Sequence, residues 1–509
     1  MKPKIIAMYL PQFHTIPEND KWWGEGYTEW TAVRQAKPMF EGHLQPRVPL
    51  NGTYYNLLNK TVMERQSSLM REYGVFGLCF YHYYFGDGRM VLEKPAENLL
   101  KWTDIEMPFC FSWANESWVR TWSNFSDERN SWNEMNETRN EGGRHGVLLL
   151  QDYGEDDVWE RHAEYLIPFF KDSRYIKIDG KPVFLIYKAD SIACLPRMKD
   201  VWDKVACEHG LKGIYYVTTN SANACCDAGV QMEPMAAMLG GKTLQFQGDY
   251  CGVRKVIPYD EAVKCSISRM SPTDQKTFFS VCPGYDDTPR RGSGGTVIHG
   301  ASPVAFKEYL KRVLYYSESI GNEFVFVNAW NEWGEGNYLE PDELNGESFL
   351  SAVKSASEEY HLLAKDDFAD RGLKKDGGIL EQYRSYWRLF DKWMILKENG
   401  IKLKDFFIKR GYNRIAVYGI GMMGRHFLAE LPEDMLAYAI DGRADSLNLG
   451  LPLFKADDEL PATDAIIVTA TYDYTSIYNM LKEKVTCPVY SLEEIVDVQR
   501  NSLFLNEDV

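Results

Sequence analysis

Over about the first 360 residues, short runs of consecutive apolar residues alternate with stretches whose apolar positions recur every three or four residues. The first pattern predicts strands buried on both faces, and the second predicts amphipathic helices. Strands are expected at 4–10, 75–81, 108–113, 182–187, 213–218, 231–236, 277–282 and 323–329. Helices fall between most of them, at 61–73, 157–170, 198–209, 303–319 and 346–361. Such alternation calls for a parallel sheet with crossover helices. Eight strands in this length point to a (β/α)8 barrel of the TIM type with long loops.

The pattern then changes. Residues 366–405 are charged and helical, with Trp387, Leu389 and Phe390 forming one apolar edge, and read as a connector packed on the barrel. A second α/β pattern follows, with strands at 414–418, 436–440, 465–469 and 489–491 and a helix at 424–430. The expected organisation is a barrel at 1–365, a helical connector at 366–405 and a small Rossmann-like domain at 406–509.

Composition narrows the function classes. Of the 509 residues, 57 are Lys or Arg and 73 are Asp or Glu, a net charge of −16. This balance disfavours a nucleic-acid partner, which needs a dense basic face. No apolar stretch is long enough for a transmembrane helix. The apolar run at 5–10 is followed by Pro11 without a small-residue cleavage site, so it reads as the first strand rather than a signal peptide. The ten cysteines are scattered and form no CxxC pair, which fits reduced thiols and a cytoplasmic location. Nothing in the spacing calls for a metal, although Asp286, Asp287 and the nearby glutamates are potential ligands.

Aromatic residues make up 14% of the chain and cluster beside polar ones. Flat rings stack on the C–H faces of sugars while polar neighbours bond the hydroxyls, so the mixture suggests a carbohydrate cleft. In a barrel, chain after a strand lies on the catalytic face. After the first strand that places Tyr9, Gln12, His14, Trp22, Trp23, Glu29 and Trp30 as candidates. Tyr81 and His82 follow the second strand, and Trp113, Asn115 and Glu116 the third. After the seventh come Asp286 and Arg290, which either bond sugar hydroxyls or pair with each other. The eighth runs into Asn328, Trp330, Asn331, Glu332, Trp333 and Glu335. Gly334 and Gly336 permit a turn that brings both carboxylates inward, and Trp330 and Trp333 supply apolar walls. Paired carboxylates are the equipment for making or breaking a glycosidic bond.

The segments YLPQFH, NDKWWGEGYTEW, PGYDDTPRR and NAWNEWGEG, over roughly residues 1–360, resemble the WbsX family of bacterial surface-polysaccharide proteins. That family is itself similar to endo-α-1,2-mannosidase-type glycoside hydrolases. The resemblance implies a barrel and a role in O-antigen or capsule assembly, with Glu332 acting on a sugar 2-hydroxyl through a 1,2-anhydro intermediate with retention. It implies Glu335 as the acid/base at the leaving oxygen. The hydrolases carry histidine after the motif tryptophan, where this chain has Gly334.

In the C-terminal region Gly419, Gly421 and Gly424 follow a strand and open a helix, and Asp441 ends the next strand. This is the dinucleotide fingerprint in its proper context. It reads either as a nucleotide or nucleotide-sugar site or as a turn that only packs helix on strand. No cofactor is required by the barrel. The expected function is glycosyl transfer in surface-polysaccharide synthesis, on a glycan or sugar-nucleotide substrate, beside other polysaccharide-assembly enzymes. The alternatives are a retaining endoglycosidase or transglycosylase, and a non-catalytic glycan-binding scaffold.

Overall fold

In the computed structural model, residues 2–119, 147–241, 252–271, 273, 275–362, 386, 389–390, 392–442, 444 and 449–505 are described. The chain divides into two compact units, Met1–Ala189 with Trp202–Gly372, and Asp190–Val201 with Leu373–Val509.

The first unit is a closed barrel. Its strands are β1 (Lys4–Tyr9), β2 (Gly77–Tyr84), β3 (Phe109–Trp113), β4 (Lys181–Ile186), β5 (Tyr215–Thr219), β6 (Ala228–Gln231), β7 (Thr277–Val281) and β8 (Phe324–Val327). They follow chain order around the barrel, each parallel to its neighbours. Closure comes from β1, which pairs Ile6 with Phe326 of β8 on one edge and Met8 with Cys79 of β2 on the other. Both faces of the strands are covered, and β8 (Phe-Val-Phe-Val) is accordingly apolar and buried throughout. Each such side chain contributes about 1.5–3 kcal/mol by leaving water.

The helices used below are α1 (Glu29–Gln35), α2 (Lys60–Tyr73), α3 (Asp156–Lys171), α4 (Leu195–Glu208), α5 (Tyr259–Arg269), α6 (Thr288–Arg291), α7 (Pro303–Ser319) and α8 (Ser348–Glu359). After β8 come two short antiparallel strands, β9 (Asn331–Glu332) and β10 (Asn337–Tyr338).

One strand differs from expectation. The sixth lies at Ala228–Gln231 rather than 231–236, where Pro234 instead precedes a helix, Met235–Gly240. Proline has no N–H for the ladder and suits a helix start. Residues 220–227 link β5 to β6 without a helix, so the strand comes earlier than the spacing of the others implies.

The second unit carries a five-stranded parallel sheet of β11 (Ile415–Tyr418), β12 (Leu436–Ile440), β13 (Leu453–Phe454), β14 (Ala465–Val468) and β15 (Val489–Ser491). The order is β13-β12-β11-β14-β15, with helix α9 (Met422–Leu428) after β11. Leu389, Trp393 and Leu396 are buried in this unit's core with Val417, Phe427 and Val496. Of the expected apolar edge of the connector, Leu389 is buried in this core, Phe390 is exposed, and Trp387 lies outside the described residues. No helix among the described residues is long and apolar enough to cross a membrane.

Candidate active site

Between β9 and β10 the residues Trp333–Glu335 form one 3-10 turn, which Gly336 ends in the left-handed region at φ 54°. A side chain at 336 would press on Asp286, its Cβ 2.9 Å from that of the aspartate. This turn brings Glu332 and Glu335 to the same cation, Arg290 of α6. Arg290 Nη2 donates to Glu332 Oε2 at 2.8 Å and Nη1 to Glu335 Oε1 at 2.7 Å. The remaining donor, Nε, reaches Glu29 Oε1 of α1 at 2.7 Å. Three carboxylates thus share one guanidinium, and Glu29 and Glu332 are buried.

Burial pushes the Glu332 carboxyl up to about 8, against the pull of Arg290; the charges of Glu335 and Glu29 add to the rise. Glu332 is thus a group that can hold or release a proton near neutrality, as acid–base chemistry needs. Gly334 lies against the same ion pairs. A Cβ there would stand 1.7 Å from Glu29 Oε1 and 2.9 Å from Arg290 Nε, so the missing side chain is the space that the Glu29 carboxylate fills.

A second layer holds the turn. Glu340 is buried and accepts from Trp330 Nε1 (3.0 Å), Trp333 Nε1 (2.8 Å), Tyr55 Oη (2.7 Å) and Gln66 Nε2 (2.7 Å). Trp330 and Trp333 are fully buried and fixed by their N–H groups to this carboxylate. Trp333 also stacks on Tyr338, with ring centroids 3.8 Å apart. Asn331 clamps β1, accepting from Leu10 N at 2.8 Å and donating to Leu10 O at 3.0 Å. Asn328 donates to Glu233 O.

Arg290 and Asp286 do not pair with each other. Asp286 Oδ2 accepts from His43 Nε2 and Gln45 Nε2, both at 2.7 Å, and its Oδ1 from the Thr288 hydroxyl at 2.6 Å. Met39 N donates to His43 Nδ1, which leaves Nε2 as the proton-bearing nitrogen facing Asp286. Asp286 therefore supports α6 and offers no free oxygen to a sugar.

The other candidates divide. Tyr81 is half-buried; burial, then the Glu332, Tyr187 and Glu335 charges, hold its hydroxyl well above the usual tyrosine range. Tyr81 packs against a cluster in which Trp22 pairs with Trp118 (6.0 Å) and Trp23 with Tyr27 (6.2 Å), while Trp30 pairs with Trp333 (5.4 Å). Gln12 is half-buried, and its carbonyl accepts from Glu29 N at 3.1 Å. His14 is buried, its Nδ1 3.0 Å from Thr15 O and its Nε2 without a partner among the described residues.

Tyr9, His82, Trp113 and Asn115 serve packing or loop structure instead, while Glu116 stands close enough to Tyr187 for its charge to be felt there. Tyr9 donates to Gln66 beneath Glu340. His82 Nε2 lies 2.9 Å from His162 Nε2 of α3, and burial holds the His82 ring down at about 3. Trp113 packs edge-on against His162 and Trp202. Both face the helix layer because strand side chains alternate and Tyr81 takes the other face. Asn115 ties Tyr153 to both backbone groups of Lys188, and Glu116 pairs with the Lys188 side chain.

Sequence reasoning missed Glu340 and Tyr187. Tyr187, half-buried, has its ring 6.3 Å from that of Tyr81 and feels the Glu116, Glu335 and Glu332 charges after burial itself. Its place directly after β4, where the chain lies on the catalytic face of a barrel, was the available signal. Among the described residues no group of three or more His, Cys, Asp or Glu is disposed to hold a metal ion.

In the second unit, Gly419 has φ 89°, and a Cβ on Gly424 would stand 2.1 Å from Gly419 O. These two glycines let α9 pack on β11. Gly421 has open space where its Cβ would be. Asp441 Oδ2 accepts from Ile420 N at 2.7 Å, so this carboxylate braces the loop itself.

The family described as "Glycosyltransferase WbsX" matches residues 5–353. Two curated relatives from Xanthomonas campestris pv. campestris, both described as "Uncharacterized protein WxcX", are 32% identical over 368 residues, 69% of this chain and 49% of their own. The chain thus spans about half the length of the curated relatives it matches. Among solved structures, a GH99 endo-α-mannosidase from Bacteroides thetaiotaomicron is similar at 14% identity and a TM-score of 0.43, over 70% of this chain and 97% of that one. A "Glycoside hydrolase-like protein" is similar at 12% identity and a TM-score of 0.42, over 70% of this chain and 94% of that one.

Proposed function

This chain belongs to the WbsX glycosyltransferase family, and from that premise we propose that it makes or remodels a glycosidic bond during bacterial surface-polysaccharide assembly. The observation that carries the reading is the pair Glu332 and Glu335 on the two amino groups of Arg290, just past the C-terminal end of β8. That is the face on which barrel enzymes do their chemistry. Glu332, able to exchange a proton near neutrality, acts at a sugar hydroxyl, and Glu335 acts at the bridging oxygen. Tyr81 and Tyr187 line the approach and supply hydroxyl donors. The substrate is a glycan or a sugar nucleotide, and the protein works on the cytoplasmic side beside other assembly enzymes. For the second unit we propose a nucleotide contact only at the Gly419–Gly424 loop, around the open Gly421.

A retaining endoglycosidase or transglycosylase is the second reading, favoured by the two carboxylates themselves. One experiment separates the two. Nucleoside-diphosphate sugars are incubated with oligosaccharide acceptors, and release of nucleoside diphosphate is followed; in parallel, new reducing ends are measured on oligosaccharides alone. Acceptor-dependent release supports transfer, and reducing ends without nucleotide support hydrolysis. Glu332→Gln and Glu335→Gln each lower the observed turnover by about 100-fold or more. Full turnover in both variants overturns either enzymatic reading.

A further inference from the structure

Arg290 is the cation between the two glutamates, yet its own orientation depends on neither of them alone. A guanidinium on a side chain with four rotatable bonds can meet two carboxylates in several ways. It is Nε that decides which way the two amino groups point, and Nε is taken by Glu29 at 2.7 Å. Glu29 is rigid in turn. It begins α1, its N–H is bonded to Gln12 O at 3.1 Å, and its side chain is 2% exposed. The room its carboxylate occupies exists because residue 334 has no side chain: Oε1 lies 1.7 Å from where a Cβ would be.

We propose that Glu29 is the positioning residue of this site: seated where a side chain at 334 would lie, it holds Arg290 by Nε so that the two amino groups face Glu332 and Glu335 separately. The proposal rests on the reading of those glutamates as the reacting pair, and it assigns Gly334 a purpose as the residue that leaves Glu29 its place. The charged and titratable groups facing Glu332 are Arg290, Glu335, Glu29, Tyr81, Tyr83 and Tyr187. The tyrosine hydroxyls are all held above their usual range by burial first, which leaves Glu29, Glu335 and Arg290 to set the charge around Glu332.

The test needs no substrate. The full chain is labelled with glutamate carrying 13C at the side-chain carboxyl, and the Glu332 signal, assigned by its loss in Glu332→Gln, is titrated by NMR. In Glu29→Gln a negative neighbour is gone, so Glu332 is expected to titrate about 1 pH unit lower. Gly334→Ala puts a methyl group on the carboxylate's place, so Arg290 loses its hold at Nε and with it the pull on Glu332, which is expected to titrate higher instead. Added to Glu29→Ala, the same substitution is expected to move it no further, since the place is then vacant. An unmoved Glu332 signal in Glu29→Gln, or Gly334→Ala and Glu29→Ala effects that simply add, overturns the proposal. Loss of the near-UV circular dichroism of Glu29→Gln makes Glu29 a folding residue and overturns it too. The catalytic reading fails separately: full turnover in Glu332→Gln removes it while the titration result stands.

Discussion

Glu332 and Arg290 have opposite effects when each is removed, because one is a raised acid and the other the cation that compensates it. The Glu332 carboxyl is held up to about 8 in the folded chain, above its ordinary unfolded value near 4.5. Below the unfolded value it is protonated in both states and contributes nothing to pH dependence. Between the two values the folded state holds a proton that the unfolded state has lost, so stability falls as pH rises. Glu332→Gln is therefore expected to gain melting temperature relative to the parent between pH 5 and pH 8, measured by scanning calorimetry at both ends. Arg290→Ala leaves three carboxylates without their cation and is expected to cost about 3 kcal/mol in chemical denaturation. Arg290→Lys does not rescue it, since a single ammonium cannot reproduce the three directed donors.

At the level of elements, the contacts that hold the site are those joining the segment after β8 to the rest of the barrel. Asn331 satisfies both backbone groups of Leu10, and Asn331→Ala strands a buried N–H and C=O. A loss of about 3 kcal/mol is expected in urea denaturation. The glycines after β11 behave differently from one another. Gly424→Ala drives a Cβ onto Gly419 O and is expected to cost about 2 kcal/mol. Gly421→Ala has open space and φ −73°, and is expected to change the melting temperature little. If the loop meets a nucleotide, Gly421→Ala weakens it in isothermal calorimetry without loss of fold.

Much of the architecture was legible from apolar runs, because strands buried on both faces leave an unbroken signature. The same signature hides which residue faces in. His82 and Trp113 share a register on β2 and β3 and both point at the helices, whereas Tyr81, one position away, feels the glutamates. The pairing of Glu332 with Glu335 followed from two glycines in a short turn. Arg290's third partner did not, because Glu29 is 261 positions away and joined only by closure of the barrel. Glu340 went unread for a related reason: four donors from three separate segments converge on it, and no local pattern announces that.

For the whole molecule, the excess of acidic over basic residues sets what the surface attracts. With a net charge of −16, the chain is expected to co-sediment no more with vesicles containing anionic lipid than with neutral ones. Membrane attraction by charge would show as the opposite, falling with added salt. The barrel's closing seam has a consequence for how the protein is made. Leu10 and Asn331 lie 321 positions apart, and β1 has no partner on one edge until β8 has been synthesised. A ribosome adding about 5–20 residues per second leaves that apolar edge open for tens of seconds. Through that interval the nascent chain carries an unpaired strand edge, which is able to pair with a neighbouring chain until the barrel closes.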